Sequence, residues 1–165
     1  MNKKLTLFGE EHGNKEIPKF LLKFFSKLAK EENFDVCLEI PKEFQNNIES
    51  FFKQDEGGLN TKEYFNLVKK LQELNIKIFC IDSSDYFSQN KREKTMADNI
   101  IKILNKKTFV IMGNVHAYTK KLSINGVNIT PAGFYLFEML KNKMVSINLS
   151  QYLEVKQIIL NEVND

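Results

Sequence analysis

Short runs of aliphatic residues alternate along this chain with longer segments whose apolar residues recur at the spacing of a helix. The aliphatic runs predict strands at 4–8, 35–40, 76–81, 108–112 and 144–149. Between the first two runs, Ile17, Leu21 and Leu28 mark one face of an amphipathic helix. Strand–helix alternation of this kind builds a parallel sheet that helices cover on both faces. We therefore predict a single α/β domain spanning residues 1–165, with a mostly parallel central sheet.

The later segments predict further helices and one hairpin. Apolar residues at helical spacing mark helices at 44–52, 64–71, 96–104 and 131–140, the last opened by a proline. Thr61 is placed to cap the second of these helices at its N-terminus. Asn125-Gly126 is a strong two-residue turn, so the sequence around it predicts a short β-hairpin. The tail from 151 to 160 fits either a strand or a helix.

Charge and apolar run length exclude several classes of protein. The net charge is +3, from 24 basic and 21 acidic residues, and so small an excess does not indicate a nucleic-acid partner. No run approaches the roughly 20 apolar residues that span a bilayer, and the apolar run at 5–8 is too short for a signal peptide. Cys37 and Cys80 fall within predicted strands, where cysteine packs as a small hydrophobe. We expect a cytoplasmic protein with no membrane partner.

Both histidines of the chain follow the ends of predicted strands. His12 comes after the first strand, and His116 comes after the fourth. Carboxylates occupy similar positions, because Glu39 ends the second strand and Asp82 follows the third. Ligands of open α/β sheets bind outside the carboxyl ends of the strands. We therefore predict that Glu10, His12, Glu39 and His116 converge on one cleft.

Simpler structural roles remain open for each residue taken alone. Glu10 and Glu11 would also stabilise the N-terminus of the following helix, Asp82 would fit an Asx turn, and either histidine would fit an ordinary loop. Taken together, a histidine beside a carboxylate forms a general base near neutral pH. Two histidines with carboxylates also match a zinc or manganese shell. The absence of Gly-x-Ser-x-Gly, Walker and GxGxxG motifs gives little support to a serine hydrolase, an NTPase or a Rossmann dehydrogenase.

The most specific predictions concern the lone arginine and the glutamate at the end of the second strand. Arg92 is the only arginine in the chain, and its guanidinium offers a planar fork of donors that lysine lacks. Glu39 lies within an apolar run, so its carboxylate should be buried and paired. We expect its partner to be Arg92, His12 or His116. We also expect Glu39→Gln to preserve the fold, because the amide has nearly the same shape as the carboxylate.

The order of these motifs resembles that of one known superfamily. Phe8-Gly9-Glu10-Glu11-His12 is similar to the Gly-x-x-His signature of the TIKI/TraB metalloproteases, the ChaN-like haem-binding proteins and the erythromycin esterases. The likeness continues through Leu38-Glu39-Ile40-Pro41, an Arg92-x-x-x-Met96-Ala97-x-x-Ile100 helix, Gly113-Asn114-Val115-His116-Ala117 and Thr130-Pro131-Ala132-Gly133. It spans most of the chain in the same order.

The resemblance implies a site built from Glu10, His12, Glu39, Arg92 and His116. In esterase-like members the first histidine resembles a general base, and in TIKI-like members the same positions resemble metal-site residues of a peptidase. ChaN-like members bind haem as a pair of chains, which makes a homodimer one expected assembly. This chain is much shorter than those proteins and lacks the helical insertion of the esterases, so a macrolide is a poor substrate candidate.

The first functional hypothesis is a hydrolase. His12, polarised by Glu10 or Glu39, would activate water, and a cationic side chain would stabilise the oxyanion of an ester, lactone or amide. Arg92 or His116 would supply that cation. The substrate would be a small molecule or a peptide, and its predicted contacts are Glu11, Asp82, Asn114 and Tyr118.

The second hypothesis is a binding module without turnover. Its cofactor would be haem or a divalent metal such as zinc or manganese. Haem requires an apolar surface and an axial histidine or tyrosine, and Tyr118 beside His116 is the local tyrosine candidate. An interaction domain with a vestigial site is a third reading.

Overall fold

The computed structural model describes residues 4–54, 59–83 and 88–152, and a five-stranded parallel sheet forms its centre. The strands are β1 (Leu5–Glu10), β2 (Asp35–Pro41), β3 (Lys77–Asp82), β4 (Thr108–Gly113), β5 (Leu122–Ile124), β6 (Val127–Ile129) and β7 (Met144–Asn148). The sheet has the order β3-β2-β4-β1-β7, and each neighbouring pair is parallel. β5 and β6 form a separate antiparallel hairpin. All five carboxyl ends of the main sheet therefore lie along one edge.

Helices cover both faces of the sheet. Those of the described residues are α1 (Glu16–Leu28), α2 (Ile48–Phe51), α3 (Lys62–Glu73), α4 (Gln89–Ile103), α5 (Asn114–Ala117) and α6 (Ala132–Leu140). α1 packs beside α3 on one face, and α4 packs beside α6 on the other. The predicted α/β architecture is thus confirmed. No helix within the described ranges is long and apolar enough to cross a membrane.

Each face of the sheet buries its own apolar cluster, because successive side chains of a strand point to opposite faces. On the α1–α3 face, Phe8 of β1 stacks on Phe109 of β4 with ring centroids 5.7 Å apart, and Phe25 packs edge-on against both rings. On the α4–α6 face, Leu7 and Val110 belong to the second cluster. Packing from both sides makes the carboxyl edge of the sheet a rigid support for the residues that follow it.

Several local predictions are confirmed residue by residue. Thr61 caps α3, where its hydroxyl accepts a backbone N–H of the first turn. Asn125 and Gly126 have φ angles of 51° and 78°, as the two-residue turn between β5 and β6 requires. Cys37 and Cys80 are both buried within strands. Local turn and cap chemistry therefore agrees with the tertiary fold at these positions.

One helix prediction is wrong in extent. Instead of a helix at 44–52, the chain forms a 3-10 turn at Lys42–Phe44 and then the short α2, because the side chain of Asn47 caps a new helix start. The helix marked by Met96, Ala97 and Ile100 is confirmed as α4, which begins directly after Ser88 because the Ser88 hydroxyl caps it. Of the tail predicted as strand or helix at 151–160, residues 151 and 152 are helical, and the rest lies outside the described residues.

The N-terminus of α6 packs against the turn that carries the second histidine. A Cβ added at Gly133 would lie 2.6 Å from the backbone oxygens of Ala117 and Tyr118, so a larger residue requires the backbone to move. The Ser146 hydroxyl of β7 donates to the same Ala117 oxygen at 2.7 Å. α6 and β7 therefore hold the α5 turn from two sides.

Gly133→Ala is expected to lower the free energy of unfolding by ~1–3 kcal/mol, because the added methyl overlaps two backbone oxygens. Urea unfolding followed by circular dichroism measures the change. Glu138→Ala, at an exposed position of the same helix, is the control and should change stability by less than ~0.5 kcal/mol. Equal stability of the two variants would contradict the close contact.

Candidate active site

Neighbouring strands β2, β4 and β1 bring four of the predicted residues to one point of the sheet edge. Glu10 ends β1 in register with Gly113 of β4, and Glu39 of β2 accepts the Gly113 N–H at 2.6 Å. A Cβ placed on Gly113 would lie 3.4 Å from both His12 Cε1 and His116 Cδ2. The two imidazoles therefore flank the same glycine, and the predicted convergence is observed.

Arg92 reaches this point from the first turn of α4 and binds two carboxylates. Its Nε and Nη2 donate to the two oxygens of Asp82 at 3.0 and 2.7 Å, which is a bidentate contact. Nη2 also donates to Oε1 of Glu39 at 2.7 Å. One guanidinium thus joins the ends of β2 and β3 to α4, as the planar fork of donors predicts.

The carboxylate of Glu39 is buried, with the residue 3% exposed, and both of its oxygens have partners. Oε1 accepts from Arg92 and lies 3.1 Å from Nε2 of His116, while Oε2 accepts the Gly113 N–H. Burial raises the pKa of Glu39, but the hydrogen bonds of His116 and Gly113 and the nearby guanidinium outweigh burial and lower it from 4.5 to about 2. Glu39 is therefore ionised at neutral pH. Of its three expected partners, Arg92 and His116 contact it.

His116 lies between two carboxylates. Its Nδ1 is 2.7 Å from Oε1 of Glu93, and its Nε2 is 3.1 Å from Oε1 of Glu39. Burial lowers the pKa of His116, but the hydrogen bonds to the two glutamates raise it from 6.5 to about 9. The ring is therefore an imidazolium at neutral pH.

His12 has a different environment on the other side of Gly113. Its Nδ1 pairs with Oε1 of Glu10, whose side chain is 2% exposed, whereas the side chain of His12 is 41% exposed. In the described part of the chain, no hydrogen-bonding group contacts its Nε2. The hydrogen bond to Glu10 raises the pKa of His12 above 6.5, against the opposing effects of partial burial and of His116. His12 thus presents one ring nitrogen to solvent while the other is anchored.

Glu93 belongs to the site, although no motif of the sequence identifies it. The residue is fully buried, and its Oε2 accepts the Ala132 N–H of α6 at 2.9 Å. The available signal is its position, because Glu93 precedes Met96, Ala97 and Ile100 at helical spacing and so lies on the buried stripe of α4. A carboxylate in such a stripe must be paired with a cation or a hydrogen-bond donor, and the histidines are candidates for that partner.

The predicted substrate contacts do not form one surface. Asp82 accepts hydrogen bonds from Arg92, and Glu11 is exposed on the loop after β1. Asn114 and Tyr118 line a separate pocket of about 210 Å³ beside β7. Residues two apart on a helical turn do not share a side, so the α5 turn directs His116 to the sheet edge and its neighbours elsewhere. Substrate binding by these four residues stays a prediction.

The arrangement of donors suits proton transfer better than a metal shell. Both nitrogens of His116 face carboxylates, and the guanidinium of Arg92 lies between Glu39 and Asp82. Across residues 4–54, 59–83 and 88–152, no three His, Cys, Asp or Glu side chains are placed to hold a metal ion. What the site offers is an anchored histidine with one open nitrogen, beside a rigid cluster of opposite charges.

Comparison with known proteins identifies the fold. Neither a protein-family model nor a curated protein matches the sequence. Among solved structures, ChaN of Campylobacter jejuni, which binds heme cofacially, is similar with a TM-score of 0.59 and 17% identity over 89% of this chain and 81% of its own. A Bacillus cereus protein is similar with a TM-score of 0.70 and 12% identity, over 87% of this chain and 65% of its own.

A bacterial toxin shares the same fold. The C-terminal region of Pasteurella multocida toxin, which has a thiol-protease-like catalytic triad, gives a TM-score of 0.60 at 14% identity over 87% of this chain. This chain spans 22% of that toxin chain. At such low identities the likeness shows the fold alone. It supports a ChaN-like α/β fold and does not single out the TIKI/TraB or erythromycin esterase families.

Glu39→Gln is expected to preserve the fold but to lower the free energy of unfolding. Each oxygen of Glu39 accepts from a fixed donor, so an amide NH₂ in either position faces another N–H. Leaving a buried donor unsatisfied costs ~1–3 kcal/mol. Urea unfolding measures this loss, and Glu43→Gln, at an exposed position just after β2, is the control. Unchanged stability of Glu39→Gln would contradict the hydrogen-bond assignment.

Proposed function

We propose that this protein is a hydrolase in which His12 activates water for attack on an ester, a lactone or an amide. The observation that carries the proposal is the pairing of a buried carboxylate, Glu10, with Nδ1 of a part-exposed histidine. A histidine held in this way is a common general base in enzymes. The fixed cations on the other side of Gly113 support the same reading.

The proton transfer follows from the hydrogen bonds of His12. In the neutral ring, Nδ1–H donates to Glu10, so the lone pair lies on Nε2, which is open to solvent. Nε2 would take a proton from water as the water oxygen attacks the substrate carbonyl carbon. The imidazolium so formed is stabilised by Glu10, and it would return the proton to the leaving group.

The cationic side of the site would act on the negative charge that develops on the substrate oxygen. Nη1 of Arg92 lies 3.3 Å from Nε2 of His116, so this end of the guanidinium faces the ring of His116. Ion pairs with Asp82 and Glu39 fix the position of the Arg92 guanidinium. Arg92 and His116 are the two candidates for oxyanion stabilisation, and ion pairs with carboxylates hold both of them in place.

A haem-binding module is the second candidate, and the likeness to ChaN favours it. An apolar groove of about 550 Å³ lies beside β7, and it is lined by Phe20, Phe24 and Tyr152 among others. His116 is a poor axial ligand, because its ring nitrogens face Glu39 and Glu93. The open Nε2 of His12 and the exposed Tyr118 and Tyr152 are the ligands that this reading would use.

His12→Asn is expected to lower the hydrolysis rate by ~10²–10⁴-fold, because it removes the proposed base. The measurement uses p-nitrophenyl esters, thiolactones and p-nitroanilides as probes of the three substrate classes. Lys15→Gln, at an exposed position between the site loop and α1, is the control and should keep the wild-type rate. The wild-type rate should rise with pH through a midpoint above 6.5, because only neutral His12 accepts a proton. Full activity in His12→Asn would refute the proposal.

Titration of the protein with haemin separates the two candidate functions. The hydrolase proposal predicts no saturable shift of the Soret band at micromolar haemin. A saturable shift that is lost in His12→Ala or Tyr118→Phe, in a protein that hydrolyses none of the three probes, would establish the haem-binding alternative. Lys15→Gln again serves as the matched control.

A further inference from the structure

We infer that Glu93 is a positioning residue that holds His116 as an imidazolium, with Nδ1–H donating to Glu93 and Nε2 in an ion pair with Glu39, so that His12 is left as the one histidine able to accept a proton. The inference rests on the proposed function, since it divides the roles of base and fixed cation between the two histidines. It adds a residue that the motifs of the sequence do not identify.

The geometry around Glu93 determines which atoms donate. Glu93 is fully buried, and its Oε1 lies 2.7 Å from Nδ1 of His116. An ionised carboxylate only accepts hydrogen bonds, so Nδ1 must carry a proton. The two oxygens also accept from Gln89 Nε2 at 2.5 Å and from the Ala132 backbone N–H at 2.9 Å. Two further donors therefore converge on the carboxylate of Glu93 beside Nδ1 of His116.

The second ring nitrogen forms an ion pair. Nε2 of His116 lies 3.1 Å from Oε1 of Glu39, which is itself ionised. Nη1 of Arg92 lies 3.3 Å from the same nitrogen and would donate to it if the ring were neutral. A neutral ring would leave the Glu39 oxygen beside an uncharged nitrogen, whereas an imidazolium places a positive charge there. The ion pair with Glu39 therefore favours protonation of both nitrogens.

The charged groups around His116 come from several elements. They are Glu39 of β2, Arg92 and Glu93 of α4, and His12 of the loop after β1. From α6, the Ala132 N–H reaches His116 indirectly through Glu93. Two carboxylates and one guanidinium contact the ring directly. The negative groups beside the ring therefore outnumber the positive ones, which favours the imidazolium.

The cation has a consequence for the base. The positive charge of His116 lowers the pKa of His12, in opposition to Glu10. By fixing that charge, Glu93 keeps more of His12 in the neutral form that accepts a proton at a given pH. A residue that only held α6 to α4 would have no such effect on the titration of His12.

Glu93→Gln tests the inference with little change in shape. The amide oxygen would keep the Ala132 hydrogen bond while the amide NH₂ would donate to Nδ1, which favours a neutral ring with the proton on Nε2. In long-range ¹H–¹⁵N spectra of the full chain, His12→Asn assigns the signals of His116. We expect both nitrogens of wild-type His116 to stay protonated at pH 8 and the pKa of His116 to fall by more than one unit in Glu93→Gln.

Kinetics supply an independent readout of the same variant. We expect kcat to fall by roughly 10-fold with little change in KM, and the pH midpoint of the rate to move upward because His12 loses its cationic neighbour. Lys94→Gln is the matched control, since it changes an exposed residue of the same helix and leaves Glu93 and its partners in place. Both readouts should stay near wild type in that control.

Two results would overturn the inference. One is an unprotonated nitrogen on wild-type His116 at pH 7, which needs no variant and holds even if Glu93→Gln fails to fold. The other is an unchanged titration of His116 in folded Glu93→Gln. If the wild-type protein hydrolyses none of the three probes, the proposed function fails, and the spectra still decide the role of Glu93.

Discussion

The carboxylate of Glu39 lies at the end of an interior strand, where an unpaired charge would cost several kcal/mol. Its pairing determines much of the surrounding structure. Arg92 reaches it from the first turn of α4, which begins directly after Ser88, and His116 reaches it from the turn after β4. The Gly113 N–H supplies the remaining donor. Satisfying one buried charge thus connects three of the elements that surround the sheet edge.

The two histidines show how local environment assigns different chemistry to the same side chain. His116 is buried between two glutamates and is held as a cation. His12 contacts one glutamate, Glu10, and keeps its second nitrogen toward solvent. Their separation into a fixed charge and an open base does not need different residue types. It needs only that the buried ring of His116 contacts a second carboxylate, Glu93, while the exposed ring of His12 contacts Glu10 alone.

The sequence predicted the parts of this arrangement that depend on local patterns. Alternating strands and helices specified the sheet, and parallel strands brought Glu10, Glu39 and the histidines to one edge. The sequence did not predict which nitrogen faces which carboxylate, because that depends on side-chain directions at the ends of three different elements. It also grouped Asn114 and Tyr118 with the site, although the α5 turn directs them toward β7. A one-turn helix changes direction within two residues, and no pattern of hydrophobicity reports that.

The single arginine illustrates how strongly geometry can constrain one position in a lysine-rich chain. Arg92 uses Nε and Nη2 on Asp82 while Nη2 also serves Glu39, so donors in one plane satisfy two strand ends at once. A lysine ammonium has its donors on one atom and would contact one carboxylate well and the other poorly. The uncompensated carboxylate would then share a buried site with Glu93, and like charges at close range raise a carboxyl pKa. Protonation of Glu39 would in turn weaken its ion pair with His116. The guanidinium therefore maintains the charge state of the whole cluster, beyond joining β2 to β3.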